Sequence, residues 1–128
     1  MKFNSERVID IHEELLKHHK IEPGFKDKNI IDSIVYKMNA QINKQELYSD
    51  TYKKAASLFE GLIRFHPFID GNKRTALASL QEFLLENDIL FMIPYGAVRF
   101  AVKVAKRTSL EQDDIENLLL TGSLRNGT

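Results

Sequence analysis

The stretch HPFIDGNKR, residues 66–74, joins two amphipathic patterns and decides how the rest of the chain is interpreted. Before it, apolar residues recur every three or four positions, and Pro67 interrupts that helix just after His66. A second apolar stripe begins after Asn72, and Gly71 permits a sharp turn between the two. The sequence therefore predicts a helix–loop–helix unit with a polar loop.

Working outward from this loop, four helices are expected before residue 89. Ser5 is a suitable N-cap for the first, which runs to about His19, and Asp27 for the second, which follows a break at Pro23-Gly24. The third helix is expected to open at Ser49 or Asp50, and the fourth to end at Asn87-Asp88. In each helix the face expected to be buried follows three-four spacing. These faces are Val8, Ile11, Leu15 and Leu16 in the first; Ile30, Ile31, Ile34, Val35, Met38 and Ile42 in the second; Ala55, Ala56, Phe59, Leu62 and Ile63 in the third; and Ala76, Leu77, Leu80, Phe83 and Leu84 in the fourth.

The last third of the chain predicts two more helices. Residues 89–94 are apolar and expected to be extended, and a fifth helix is expected over 97–106. The capping-box pattern TSLE, residues 108–111, opens a sixth helix that ends near Gly122 and leaves a frayed polar end. The expected fold class is all-α, a compact single-domain bundle of about six helices over residues 1–128.

Composition restricts the classes of function. Eighteen Lys and Arg balance eighteen Asp and Glu, so a dedicated nucleic-acid surface, which normally shows a basic excess, is not expected. The chain has no cysteine, which excludes disulfides and thiol nucleophiles. No apolar run approaches the roughly 20 residues that cross a bilayer. We expect a cytoplasmic protein that acts on neither membranes nor nucleic acid.

The loop has the features of a phosphate site. Lys73 and Arg74 lie in the first turn of the fourth helix, where each cation opposes the helix dipole at a cost of about 0.3–1 kcal/mol. An anion bound to the free amides there, such as a phosphate chain, would remove that conflict. Arg64 precedes the loop closely enough to reach the same anion, although an exposed ion pair is an equal expectation.

The same loop supplies groups for metal binding and proton transfer. Asp70 suits Mg²⁺, which takes few protein ligands, although it would also serve as a helix cap. His66 has an ordinary pKa near 6.5 and suits a general base that deprotonates a hydroxyl. Phe68 is expected to anchor the loop by burying its ring.

Three other histidines near the N-terminus predict no site. His12, His18 and His19 do not form the zinc motif HExxH, because HEELL lacks the second histidine. We expect them to be solvated residues on the surface of the first helix.

The stretch 66–74 resembles the signature HPFx[D/E]GN[G/K]R of the Fic/Doc family, and all eight of its fixed positions match. The length and the residues TAL after Arg74 look like the Doc, or "death on curing", type. The resemblance implies a Fic/Doc helical fold and an enzyme that uses ATP and Mg²⁺. It implies the following roles: His66 is the general base, Asp70 holds Mg²⁺, Gly71, Asn72, Lys73 and Arg74 bind nucleotide phosphates, and Phe68 anchors the loop.

The resemblance leaves two transfer reactions open. AMP-transferring members carry a second Arg three residues after the first, where this chain has Leu77. Doc-type members, which resemble kinases that act on elongation factor Tu, also lack it. Pro67 and Gly71 are nevertheless closer to the AMP-transferring pattern. The predictions are therefore phosphoryl transfer to a Ser, Thr or Tyr hydroxyl, AMP transfer as the alternative, and a catalytically silent nucleotide-binding module as the third possibility.

Two further expectations follow from the family. Residues 43–48, NKQELY, are a polar connection that is either a plain loop or a flap that pairs with a target peptide as a strand. The self-inhibitory pattern [S/T]xxxE[G/N] is missing, since Glu60-Gly61, Glu86-Asn87 and Glu116-Asn117 all lack the Ser or Thr. Inhibition is expected to come in trans, from a Phd-like antitoxin.

Overall fold

The computed structural model of the chain describes residues 3–42, 45–46, 51–91 and 123–124. Within these ranges it has four α-helices and four strands of two residues each. In chain order they are α1 (Ser5–His18), α2 (Lys28–Asn39), β1 (Gln41–Ile42), β2 (Gln45–Glu46), α3 (Thr51–Phe65), α4 (Asn72–Glu86), β3 (Leu90–Phe91) and β4 (Ser123–Leu124).

The helices begin where short polar side chains accept backbone hydrogen bonds. Asp27 caps α2 by accepting from the amide of Asn29 at 2.9 Å, as predicted. At α1 the prediction of Ser5 as the cap was wrong by one residue, because Asn4 accepts from the amide of Arg7 at 2.9 Å and Ser5 is the first helical residue. Asn is as good a cap as Ser, so the sequence did not distinguish the two positions.

Helix α3 lies at the centre of the core. It packs against α2 on one side and α4 on the other, and α1 packs against α4. Gly61 allows α2 to approach α3 closely, since a Cβ at this position would lie 2.9 Å from Cγ2 of Ile34. The predicted apolar faces of α3 and α4 are buried as expected: Ala55, Ala56, Phe59, Leu62 and Ile63, and Ala76, Leu77, Leu80, Phe83 and Leu84.

Two small antiparallel pairings join elements of the bundle. β1 pairs with β2, so Ile42 lies in a strand and not on α2, which ends at Asn39; that prediction was wrong. The polar connection 43–48 thus contains one strand of a hairpin. β3 pairs with β4, with Leu90 opposite Leu124, so the end predicted to fray is a strand at residues 123–124.

The helices predicted over 97–106 and 108–122 lie outside the described residues, as do Ser49 and Asp50, the predicted start of α3. Among the described helices, none combines the length and the apolar character that a membrane span requires. The described part of the fold agrees with the all-α prediction, and it places residues 66–71 between α3 and α4 and residues 72–74 in the first turn of α4.

Candidate active site

His66 occupies a strained backbone position immediately after α3. Its φ is 47°, in the left-handed region, whereas a helix most often places glycine at this position. A side chain with a Cβ costs roughly 1–2 kcal/mol there. Strain of this kind is typical of functional sites, and here it falls where α3 ends and the loop begins.

The imidazole of His66 is held in its neutral form. Burial lowers its pKa below the ordinary value, and the positive charges of Lys26 and Lys73 lower it further. At neutral pH the ring therefore has a free nitrogen lone pair, which a general base requires.

A segment between α1 and α2 holds the loop in place through its backbone. The amides of Lys26 and Asp27 donate to the carbonyl oxygen of Pro67, at 2.8 and 3.2 Å. In return, the amide of Ile69 donates to the carbonyl oxygen of Gly24 at 3.1 Å. Sequence reasoning interpreted Pro23-Gly24 only as a break, so it missed this pairing of residues 22–27 with residues 67–70.

Phe68 is buried beneath the loop, as expected of an anchor, and the anchoring role itself stays a prediction. Its side chain is 1% exposed. The ring lies between the ring of Phe25, with centroids 5.5 Å apart, and the ring of His12, with centroids 3.8 Å apart. Loss of the ring would therefore remove the contacts with both Phe25 and His12 and leave a cavity.

Asn72, the first residue of α4, binds the backbone of the loop through its side chain. Its side-chain carbonyl accepts from the amide of Phe68 at 3.1 Å, and its amide group donates to the carbonyl of Phe68 at 2.9 Å. The side chain is buried, and one amide hydrogen remains after these bonds. The structure thus gives Asn72 a loop-closing role, and phosphate contact stays a prediction for it.

Asp70 presents an exposed carboxylate at the tip of the loop. One oxygen accepts from the amide of Glu22 at 3.0 Å and the other from the amide of Gly71 at 2.8 Å. These two bonds lower the pKa of Asp70, so it is ionised at neutral pH. Among the described residues no three His, Cys, Asp or Glu side chains form a cluster that could hold a metal. One ionised carboxylate suits Mg²⁺, which keeps several waters and phosphate oxygens as ligands.

Helix α4 begins with a surplus of positive charge. Gly71, at φ 82°, turns the chain, and the first helical hydrogen bond runs from the amide of Thr75 to its carbonyl at 2.9 Å. The amides of residues 72–74 precede that bond, and the first turn has no acidic residue. Arg74 is exposed and Lys73 half-buried, and within the described ranges neither is in an ion pair. The arrangement can receive an anion.

Comparison with known proteins agrees with this geometry. A sequence model of the Fic/DOC family matches residues 2–84, which is well over half of the chain. The chain belongs to the Fic/Doc family.

Two relatives of this Fic/Doc chain are named proteins. A "Toxin Doc" of Mycolicibacterium smegmatis is 36% identical over 64 residues, 50% of this chain and 49% of that protein. A "Protein kinase doc" of Escherichia phage P1 is 30% identical over 84 residues, 66% of each chain. The matches thus span about half of the first relative and 66% of the second.

Two positions outside the Fic/Doc signature affect how a nucleotide would bind. Leu77, which stands where AMP-transferring members are expected to have Arg, is buried in the core. Arg64 pairs with Glu60, with 3.2 Å between Nε and the carboxylate, and both line a cavity of about 350 Å³ between α2 and α3. Arg64 is therefore in an ion pair, although it is a partly buried pair and not the exposed one expected, and the contact of Arg64 with phosphate stays a prediction.

His12 is the residue that sequence reasoning placed wrongly. It was expected to be solvated, but it is 3% exposed, and its Nε2 lies 2.8 Å from the carbonyl oxygen of Asp70. The signal was present in the spacing, because His12 follows Val8 by four residues and lies on the buried face of α1. His18 and His19 are exposed, as predicted.

Proposed function

We propose that this chain is a Doc-like toxin that transfers a phosphoryl group from ATP to a hydroxyl side chain of a host translation protein of the elongation factor Tu class. The observation that carries the proposal is the position of a neutral His66 beside the cationic start of α4. Together they provide a base for the acceptor and a receptor for the phosphates. The relative named "Protein kinase doc" supports transfer of a phosphoryl group. Such an acceptor implies action in the cytoplasm.

His66 would carry out the proton transfer. The imidazole accepts the proton of a Ser, Thr or Tyr hydroxyl, the hydroxyl oxygen forms a bond to the γ-phosphorus, and the bond from that phosphorus to the bridging oxygen breaks to release ADP. The low pKa of His66 keeps the ring unprotonated before the acceptor arrives. Because little covalent work falls to the protein, most of the rate enhancement would come from positioning and charge.

The phosphate chain would be held by the start of α4. Gly71 lets the backbone approach the phosphates, and Lys73 and Arg74 neutralise charge that develops on them. Asn72 has one side-chain amide hydrogen left to donate to an oxygen of the phosphate chain. Arg64 would have to leave Glu60 to join them, so we assign it to the edge of the phosphate site.

Asp70 is the residue that would hold Mg²⁺. Its carboxylate is ionised and exposed, and the two amides that bond to it leave further lone pairs on each oxygen. Bound there, Mg²⁺ would supply charge neutralisation on the phosphate oxygens.

AMP transfer is the second candidate function, and two residues favour it. Pro67 and Gly71 follow the pattern expected of AMP-transferring members. Leu77 favours the kinase, because a buried leucine cannot hold the outer phosphates as the second Arg is expected to do in those members. We therefore place phosphoryl transfer first.

The experiment that tests the proposal is incubation of purified elongation factor Tu with this chain, Mg²⁺ and ATP labelled on either the α- or the γ-phosphate. Label from γ together with a mass gain of one phosphate supports the kinase. Label from α together with a gain of one AMP supports AMP transfer. No gain on elongation factor Tu rejects this acceptor, and intact-mass measurement of other host proteins then identifies another.

A His66→Asn variant separates catalysis from mere binding. Asn tolerates the left-handed backbone at this position better than Ala, so the loop should keep its shape while it loses the base. We expect transfer to be abolished and growth inhibition to be lost. Growth inhibition that persists in this variant would instead support a catalytically silent nucleotide-binding module.

A Phd-like antitoxin is the expected inhibitor. The relative named "Toxin Doc" supports membership in a toxin–antitoxin pair, and we expect a segment of the partner to dock near His66 and Arg74. Titration of the transfer activity with the product of a neighbouring gene tests this. Activity that is unchanged at a saturating amount rejects that partner.

A further inference from the structure

His12 and Asp70 are linked through the backbone of the loop tip, 58 residues apart in sequence. The 2.8 Å contact joins Nε2 of His12 to the main-chain carbonyl oxygen of Asp70. A carbonyl oxygen can only accept, so Nε2 carries the hydrogen and donates it. The donor side of the bond is almost fully buried, since His12 is 3% exposed, whereas Asp70 lies at the surface.

The imidazole of His12 is itself held in a defined orientation. Its ring lies parallel to that of Phe68, with an interplanar angle of 5° and centroids 3.8 Å apart. The backbone of Phe68 is fixed in turn by both polar groups of the Asn72 side chain. The donor therefore points at one place in the loop.

That place is the peptide group between Asp70 and Gly71. Its carbonyl accepts from His12, and its amide donates to the Asp70 carboxylate at 2.8 Å. Rotation of this peptide plane would break both bonds together. Gly71 makes such a rotation easy, since glycine tolerates many backbone conformations, including its present φ of 82°. The contact with His12 is the one side-chain bond that opposes the rotation from the carbonyl end, among the bonds of the described residues.

We propose that His12 is a positioning residue that locks the Asp70–Gly71 peptide and thereby aims the Asp70 carboxylate at the cation of the nucleotide. The proposal rests on the proposed function for its catalytic consequence, but the locking of the peptide is a property of the loop itself. His12 does not touch the reacting atoms; it acts through Asp70. Residues that orient a metal ligand in this way typically change metal affinity by 10- to 100-fold when they are altered.

Substitutions at His12 separate the donor from the ring. His12→Phe keeps an aromatic ring against Phe68 and removes the donor. His12→Gln loses the ring, but its amide reaches about as far as Nε2 and can still donate to the Asp70 carbonyl. His12→Asn is one methylene shorter and stops before that oxygen, so it is the matched control for Gln if the Phe variant does not fold.

Two measurements are made on the wild type and these variants. The first is the backbone amide signal of Gly71 in ¹H–¹⁵N spectra, with its hydrogen-exchange rate, in the free protein. The second is the affinity for Mg²⁺ in the presence of ADP, by calorimetry, together with the Mg²⁺ concentration that gives half the maximal transfer rate. We expect His12→Phe and His12→Asn to shift the Gly71 signal, speed its hydrogen exchange and weaken Mg²⁺ binding about 10-fold or more. The His12→Gln variant should stay close to wild type in all three.

Several outcomes would overturn the proposal. If the Gly71 amide signal, its exchange rate and the affinity for Mg²⁺ are unchanged in His12→Phe and His12→Asn, the peptide is not locked by His12. If the His12→Phe variant behaves as wild type and the His12→Gln variant does not, His12 serves only to pack against Phe68. If the wild type itself transfers nothing, the proposed function fails, while the Gly71 signal still decides whether His12 holds the loop.

Discussion

The amide of Lys26 donates to the carbonyl oxygen of Pro67, with 2.8 Å between nitrogen and oxygen, one residue after the candidate base His66. The backbone of Lys26 thus helps to hold the loop, and the side chain of Lys26 adds a positive charge that lowers the pKa of His66. One residue therefore contributes both to the shape of the site and to its protonation.

Replacement of Lys26 by Gln should move the acid limb of the pH profile of kcat/KM to higher pH. The backbone bond to Pro67 survives, but the cation that disfavours the imidazolium is lost, so the pKa of His66 rises. The measurement is kcat/KM between pH 5 and 8 at low ionic strength, where surface charges are least screened. Lys28→Gln, an exposed change two residues later, is the control and should leave the limb in place. A limb that does not move for Lys26→Gln would mean that Lys26 does not contribute to this pKa, which burial and Lys73 would then set.

The same protonation should affect stability. His66 has a lower pKa in the folded than in the unfolded protein, so its contribution is fully present above the ordinary value near 6.5 and is lost as pH falls through the folded pKa. His66→Asn should flatten this part of the curve of unfolding free energy against pH. Urea denaturation at several pH values measures it, and a slope below pH 6.5 that is equal in both proteins would contradict the assignment.

Phe68→Ala should destabilise the protein by roughly 3–5 kcal/mol, because removal of a fully buried ring leaves a cavity that the core fills only partly. Phe65→Ala is the matched control: the ring of Phe65, three residues earlier, is 57% exposed, and its loss should cost less than about 1 kcal/mol. Chemical denaturation of both variants provides the comparison. Equal losses would show that the loop does not depend on Phe68 for its anchor.

Local patterns explain most of what the sequence predicted correctly. Three-four spacing located the buried faces of α3 and α4, and the contiguous motif located the loop and its anchor Phe68. Two of the errors concern choices that local patterns do not resolve. Asn4 and Ser5 are equivalent caps, and the pairing of residues 22–27 with residues 67–70 uses backbone groups that every residue has. His12 differs from these, because its spacing of four residues from Val8 places it on the buried face of α1.

Asp70→Asn should weaken the dependence of transfer on Mg²⁺ and reduce the rate, since the amide keeps the shape of the side chain but loses the charge that suits a divalent cation. We expect the apparent affinity for Mg²⁺ to fall by about 10-fold or more. The rate is measured against Mg²⁺ concentration at saturating ATP. Asp32→Asn, an exposed acidic position on α2, is the control and should behave as wild type. An unchanged Mg²⁺ curve for Asp70→Asn would remove Asp70 as the metal ligand.

Gly61→Ala tests the close approach of α2 and α3. In an exposed helix this change is favourable by about 1 kcal/mol. Here the new Cβ would lie 2.9 and 3.0 Å from Cγ2 and Cγ1 of Ile34, which are close to the backbone and cannot swing away, and such overpacking costs about 1–3 kcal/mol. We expect a net loss of stability in the wild-type background. In an Ile34→Ala background these two atoms are gone and only the Cβ of residue 34 remains, at the ordinary contact distance of 3.4 Å, so the same Gly61→Ala change should stabilise the protein. Denaturation of the two single variants and the double variant completes the cycle, and the same sign in both backgrounds would show that the helices are not in contact at this point.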